Sequence, residues 1–335
     1  MSTTLQHSRI EPGNMALSRR LPWRGCRQLC IALLLCLLNT HNSPAAESRA
    51  DAVWLLTGGE HPDLVKAFIH RLATGPLPQP KVRVIDTANG LDTSKTAGDA
   101  HPSALIIAIG STAARLAHAT PRTQPVLDIL IPRQLYEQLS TVGTAQSALY
   151  IDQPLERQLN LCRLIVPEVM RLAVLYGPAS RTTDSALRSS ALRLGITVHA
   201  RQVNSGSNPN AALDDVLDDS QLLLALPDPD VFNRYTVAGL LLTAYHHDVP
   251  VVGFSAAYVK AGALAAVFST PEQIGRDAAE IVLAARTDAG WALPVARYPK
   301  YFEVAVNRQV GRSLNLKLRD DIDLKRVLEQ QEHAQ

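Results

Sequence analysis

Short runs rich in Val, Ile, Leu and Ala recur along the chain at 53–56, 82–85, 104–109, 126–131 and 148–151, and again at 172–176, 197–201, 222–226, 250–254, 263–268 and 301–306. Each is four to six residues long, the length and character of a strand buried on both faces. Between them the apolar positions change to a helical period. Thr270-Pro271-Glu272-Gln273 supplies an N-cap Thr, a Pro at the first helical position and a Gln three residues on, a capping box. Ile274, Ala278, Ile281, Val282 and Ala285 continue one apolar face. Asp152-Gln153-Pro154 opens another helix, with Leu155, Leu159, Cys162 and Val166 inward. Behind Asp230, the spacing of Val231, Tyr235, Ala238, Leu242 and Tyr245 predicts a third inward face. Strands alternating with helices in this way predict α/β architecture with parallel sheets.

Eleven such runs are more than one open twisted sheet comfortably holds, so the pattern predicts two α/β lobes with a first boundary at 150–154. The segments 77–80, 93–102 and 204–210 read as surface loops. After residue 318 the chain is charged, and Ile322, Leu324, Val327 and Leu328 stand at roughly helical spacing, which suggests a frayed docking helix.

Composition changes this picture at the N-terminus. Arg19, Arg20, Arg24 and Arg27 precede an apolar run over 29–38, and Ser43-Pro44-Ala45 then offers small residues for cleavage. These are the three parts of a secretory signal over residues 1–45, with cleavage near Ala45 and Met1 or Met15 as the start. The run is half of the roughly twenty residues that a membrane-spanning helix needs. Three of the four cysteines, Cys26, Cys30 and Cys36, lie in this leader, and Leu35 before Cys36 does not suit lipid attachment. Cys162 alone remains beyond it, which excludes an internal disulfide and a cysteine-rich metal site there. The leader carries a surplus of about four positive charges against a formal +2 for the whole chain, so the remainder is close to neutral. A near-neutral surface argues against a nucleic-acid partner held through phosphates. With 46% hydrophobic and 19% charged residues, the chain is too apolar for intrinsic disorder.

Candidate chemistry collects at the carboxyl ends of the expected strands, where open parallel sheets bind small molecules. Ile109-Gly110-Ser111-Thr112 reads as a strand, a tight turn and a helix start whose N–H groups and hydroxyls suit an anion, or equally as a Gly turn with a Ser cap. Thr57 and Gly58 end the first strand without the G-x-G-x-x-G spacing of a dinucleotide site. In Pro227-Asp228-Pro229-Asp230 the prolines stiffen a turn from which Asp228 could meet a ligand amine or simply favour a helix dipole. Phe254, Ser255 and Tyr258 follow another strand, the aromatics serving either as cleft wall or as core.

No catalytic constellation emerges. His246 and His247 point about 100° apart on a helix and cannot share a metal as an i, i+4 pair can. Asp214, Asp215, Asp218 and Asp219 form an acidic helical face without the Gly of a calcium loop. There is no G-x-S-x-G elbow or Walker loop. Neither a catalytic group, a metal site nor a cofactor is expected.

Val251-Val252-Gly253-Phe254-Ser255, Ala261-Gly262-Ala263-Leu264-Ala265-Ala266, Pro271-Glu272-Gln273-Ile274-Gly275-Arg276 and Val304-Ala305-Val306-Asn307-Arg308 resemble the closing portion of the type I periplasmic substrate-binding proteins of ABC importers. More narrowly, they are similar to the family that includes tryptophan-type binding components, and Ile109 to Ala114 resembles its first-lobe ligand loop. The resemblance implies two Rossmann-like lobes joined by three crossovers, with a ligand cleft between them. Lobe 1 would hold 50–150 plus 271–297, lobe 2 would hold 151–270 plus 298–318, and 319–335 would be a C-terminal tail. It implies a ligand shell of Ser111 and Thr112 facing Asp228, Phe254 and Ser255. It also implies a non-enzymatic, monomeric protein of the periplasm that binds a small organic molecule, amino-acid-like or otherwise, and delivers it to an ABC permease in the inner membrane. The rival expectation is an exported ligand-sensing or adaptor protein that signals to a membrane partner.

Overall fold

The computed structural model describes residues 52–76, 78–87, 103–119 and 121–334. The leader and the 93–102 loop lie outside them. The first lobe begins with β1 (Ala52–Thr57), α1 (Pro62–Ala73) and β2 (Lys81–Asp86). It continues with β3 (Leu105–Ile109), α2 (Gly110–Ala119), β4 (Val126–Ile131), α3 (Arg133–Leu139) and β5 (Gln146–Tyr150). These strands form a five-stranded parallel sheet in the order β2-β1-β3-β4-β5. The central β3 and β4 are buried at every position, as their unbroken apolar runs require, whereas the edge strand β2 is largely exposed.

The second lobe follows as α4 (Leu155–Ile165), β6 (Arg171–Tyr176), α5 (Asp184–Arg193), β7 (Thr197–Gln202), α6 (Pro209–Leu217) and β8 (Leu222–Leu224). After these come α7 (Val237–His246), β9 (Val251–Gly253), α8 (Ala256–Ala261) and β10 (Ala265–Phe268). The chain then returns to the first lobe as α9 (Pro271–Ala285), followed by the small hairpin β11 (Arg286–Thr287) and β12 (Gly290–Trp291). It crosses back as β13 (Glu303–Val306), α10 (Arg308–Ser313) and α11 (Asp321–His333). The second sheet has the order β13-β10-β9-β8-β6-β7, parallel except for β13, which runs antiparallel against β10.

The return helix α9 is fixed by its ends and by its packing. The capping box is formed: Gln273 N–H donates to Thr270 Oγ1 at 3.2 Å, and Thr270 N–H donates to Gln273 Oε1 at 3.0 Å. Ile274, Ala278, Ile281 and Val282 are buried with Leu64, Phe68 and Leu72 of α1 in one cluster. A Cβ at Gly275 would stand 2.3 Å from the Leu64 carbonyl oxygen, so only glycine permits this approach of the two helices. Truncating a fully buried side chain such as Phe68 to Ala typically costs about 3–5 kcal/mol.

Two expectations need revision in detail. Of the apolar face read behind Asp230 only Val231 points inward: Tyr235, Ala238, Leu242 and Tyr245 are exposed, Leu242 at 57%, while Leu240, Leu241 and Ala244 are buried. The helix begins at Val237, after a turn, and its sequence is apolar on both faces, so the period alone could not decide which face meets the core. The charged C-terminus, in turn, is a docked helix. Leu324 and Leu328 of α11 are buried in the core of the second lobe, and Ile322 is exposed. No helix among the described residues is long and apolar enough to cross a membrane.

Candidate functional site

A cleft of about 600 Å³ opens between the lobes at the carboxyl ends of β3, β4, β5, β6, β8 and β9. Its walls are the segments that leave those strands. Gly110, at φ +81°, turns β3 directly into α2, which brings Ser111 and, one turn later, Arg115 to the cleft. In β4 the register shifts between Ile129 and Ile131, with Leu130 at φ +58°. This bulge re-aims the chain so that Pro132, Arg133 and Gln134 line the cleft at the start of α3.

Of the charged side chains that line the cleft, Arg133 and Glu137 pair with each other, and Asp152 and Asp228 are held by hydrogen bonds. Arg133 donates through Nε to Glu137 at 2.7 Å and through Nη1 to the Tyr298 hydroxyl at 3.0 Å, and its backbone N–H donates to Asp152 Oδ2 at 2.7 Å. Burial pushes the Asp152 carboxyl above the usual carboxylate range, a shift that its bond from Arg133 only partly offsets. Asp228, 2% exposed, accepts three hydrogen bonds: from the Ser180 N–H and hydroxyl, both at 2.8 Å, and from the Asp230 N–H at 3.0 Å. Among the described residues the Arg115 guanidinium and the Asp230 carboxylate make no ion pair, one on each lobe. Gln134 spans the cleft, its Nε2 donating to the Pro178 carbonyl at 3.3 Å.

The apolar wall comes from the second lobe. Phe232 and Phe254 both line the cleft, and their rings meet edge to face at 6.4 Å. Tyr258 lies behind them, 4.4 Å from the Phe254 ring, and its hydroxyl donates to the Phe232 carbonyl at 2.8 Å. A Cβ on Gly253 would stand 2.8 Å from Tyr258 Cβ, so the platform is packed closely against β9. Burial pushes the Tyr258 hydroxyl up to about 12, which keeps it a hydrogen-bond donor at neutral pH.

Of the residues singled out in the sequence, Ser111, Asp228 and Phe254 line this cleft. Ser111 lies inside the first turn of α2, not in front of it, so capping is not its position. Thr57, Gly58, Thr112, Ser255 and Tyr258 are not among the lining residues. Thr57 is buried and accepts from the Gly59 N–H at 3.1 Å, Gly58 and Thr112 are exposed, and Ser255 precedes α8 without a side-chain cap bond. Arg115, Arg133, Gln134, Phe232 and Tyr298 also line the cleft without a marker in the sequence, where Asp152 stands only as a helix opener. Arg115 was within reach of it, since i, i+4 spacing from Ser111 puts both on one helical face. Cys162 is buried within the core and its thiol is pushed up to about 12 by burial, an inert state. Among the described residues no group of three His, Cys, Asp or Glu side chains could hold a metal ion.

Two α/β lobes, three crossovers and a cleft at the strand carboxyl ends define the type I periplasmic-binding architecture. The chain matches the family of ABC transporter substrate binding proteins over residues 93–323 and belongs to it. Among solved structures, it is similar to the ligand-free, open form of a substrate-binding protein with adhesive properties from Clostridium difficile. The TM-score is 0.65 at 19% identity, covering 81% of this chain and 97% of that one. It is also similar to an ABC domain from Streptococcus pneumonia in complex with L-Trp, with TM-score 0.56 at 16% identity, covering 81% and 96%. A conserved domain protein from Vibrio cholerae aligns with TM-score 0.56 at 20% identity over the same shares. At these identities the likeness is one of fold. No curated protein sequence matches the chain.

Proposed function

We propose that this substrate-binding protein is the periplasmic component of an ABC-type importer, exported by its leader with cleavage near Ala45, and that it acts as a monomer. It takes up a small, amino-acid-like organic molecule between lobe 1 (50–150 plus 271–297) and lobe 2 (151–270 plus 298–318) and presents the closed form to an inner-membrane permease. The observation that carries the reading is the pairing of unmatched groups across one cleft: Arg115 on the first lobe, Asp230 and the Phe232–Phe254 wall on the second. An anionic end of the ligand would meet Arg115 and the Ser111 hydroxyl, with Thr112 at the same helix start. An amine would meet Asp230, close to Asp228. An apolar group would lie on Phe254, with Ser255 and Tyr258 shaping the wall and Thr57 and Gly58 at the rim of the first lobe. Contacts that exist only when both lobes engage would drive closure, because a ligand shifts a two-state equilibrium by its differential affinity.

A thermal-shift screen over amino acids and small organic acids tests this reading. A ligand bound only by the folded state raises the melting temperature, and at a hundredfold excess over Kd the stabilisation is about 2.7 kcal/mol. At least one compound should also contract the scattering profile. A broad panel with neither response overturns the reading. Mass spectrometry of a co-purifying molecule would identify the ligand directly.

A further inference from the structure

The hinge between the lobes is tied to the end of the chain through one buried cation. Arg157, in the first helix after the first crossover, is 4% exposed. Its Nε and Nη2 donate to the two carboxylate oxygens of Glu332 in α11, at 2.5 and 2.7 Å. Its Nη1 donates to Gln153 Oε1 in the first crossover at 2.7 Å and to the Pro299 carbonyl in the third at 3.2 Å. The guanidinium also lies 4.0 Å from the centre of the Phe302 ring. Gln153 carries the connection to the second crossover: its Nε2 donates to Ser269 Oγ at 3.0 Å, and that hydroxyl donates to the Tyr301 carbonyl at 2.6 Å. All three chain crossings therefore meet in one polar network. Among the described residues the one carboxylate paired with Arg157 comes from α11, 175 residues away in sequence.

We propose that α11 is a clasp on the hinge, Glu332 holding Arg157 in the position from which it restrains the first and third crossovers and so governs how readily the lobes move. A guanidinium in a buried site is stable only with its hydrogen bonds and counter-charge in place. Without Glu332 it keeps two neutral acceptors and moves toward water, releasing Gln153 or Pro299. Those residues belong to the segments whose torsions must change when lobes rotate. The importance of lobe motion rests on the reading of the cleft as one that closes, whereas the hinge coupling is measured without any ligand.

The test is amide hydrogen exchange on the full chain, comparing wild type with Glu332→Gln and with Arg326→Gln. The latter removes a solvent-exposed pair to Asp323 within the same helix. Glu332→Gln should accelerate exchange at least tenfold in 150–154, 269–271 and 298–302, to which Glu332 connects through Arg157, while Arg326→Gln leaves these segments unchanged. Acceleration confined to 155–165 and 321–333, or equal effects from both variants, would mean that α11 merely packs against the lobe, and would overturn the proposal. If Glu332→Gln does not fold, Arg157→Lys, which keeps the charge but not the fork, provides the same readout with the same two outcomes. Failure of the cleft reading shows separately, as a wild-type protein that answers no ligand.

Discussion

Ser180 donates both its backbone N–H and its hydroxyl to a single oxygen of Asp228, each at 2.8 Å. The pair fastens the loop after β6 to the loop after β8, and with the bond from the Asp230 N–H it fills three acceptor positions of the carboxylate from within the protein. A residue whose surroundings in the sequence suggested ligand contact thus also fixes the shape of the second lobe's cleft wall. The loop approach is close enough that a Cβ on Gly177 would lie 2.4 Å from Asp228 Oδ1.

Gly177→Ala should therefore destabilise the fold by about 1–3 kcal/mol, the range for an overpacked site. Chemical denaturation measures it, and a neutral result would show that the two loops separate without penalty.

Arg115 is exposed and makes no ion pair among the described residues, so its removal should leave stability alone and weaken an anionic ligand. For Arg115→Gln we expect a stability change within about 0.5 kcal/mol and an affinity loss of about 1.5–3 kcal/mol, a hydrogen bond to a charged group. Calorimetry with the ligand from the screen decides it; unchanged affinity would place the anion elsewhere.

Tyr258→Phe removes the donor to the Phe232 carbonyl and leaves the ring stack. It should cost about 1 kcal/mol of stability in urea denaturation and reduce affinity for an apolar ligand, because the wall behind the cleft loosens. Full retention of both quantities would make the hydroxyl bond incidental.

Asp128, fully buried in β4, shares a hydrogen bond with His118 Nε2 at 2.7 Å, and its Oδ1 has no hydrogen-bond partner among the described residues. Burial first, only partly offset by the bond from His118, pushes its carboxyl above the ordinary range. A carboxyl whose folded value is raised contributes stability at pH below its unfolded value, about 3.9, and loses that contribution as pH rises through the folded value. Asp128→Asn does not titrate there. Its stability relative to wild type should consequently increase as the pH is raised from about 3.5 toward 7, followed by denaturation at each pH. A flat or falling difference would contradict the assignment.

The exposed face of α7 makes a further contrast. Leu242→Ser should change stability by less than about 0.5 kcal/mol, whereas Leu241→Ala, on the buried side, should cost about 2–5 kcal/mol. Equal penalties would show that the outer face is covered in solution.

Residue order alone determined the strands and the capped return helix of this protein. A strand such as β3, buried on both faces, must be apolar throughout, and Thr270 to Gln273 can satisfy the free N–H groups of a helix start within four residues. Such signals are local, so they survive without knowledge of the fold. The same reasoning placed Ser111 and Phe254 on the cleft, because β3 and β9 end at its edge; Thr57 and Gly58, at the end of β1, stay outside its lining, since the sequence does not say which strand ends face the other lobe.

What only the tertiary structure decided are the partners brought together from distant segments. The sequence of α7 is apolar on both sides, and the packing of α6 and α8 against it chose which side is buried. Arg157 has no marker that connects it with Glu332, and Asp228 none that connects it with Ser180. Hydrogen bonds between charged groups depend on position to within a few tenths of an ångström, and that precision comes from the chain's closure in three dimensions. Periodicity records which residues avoid water; it does not record which of the remaining polar groups will meet.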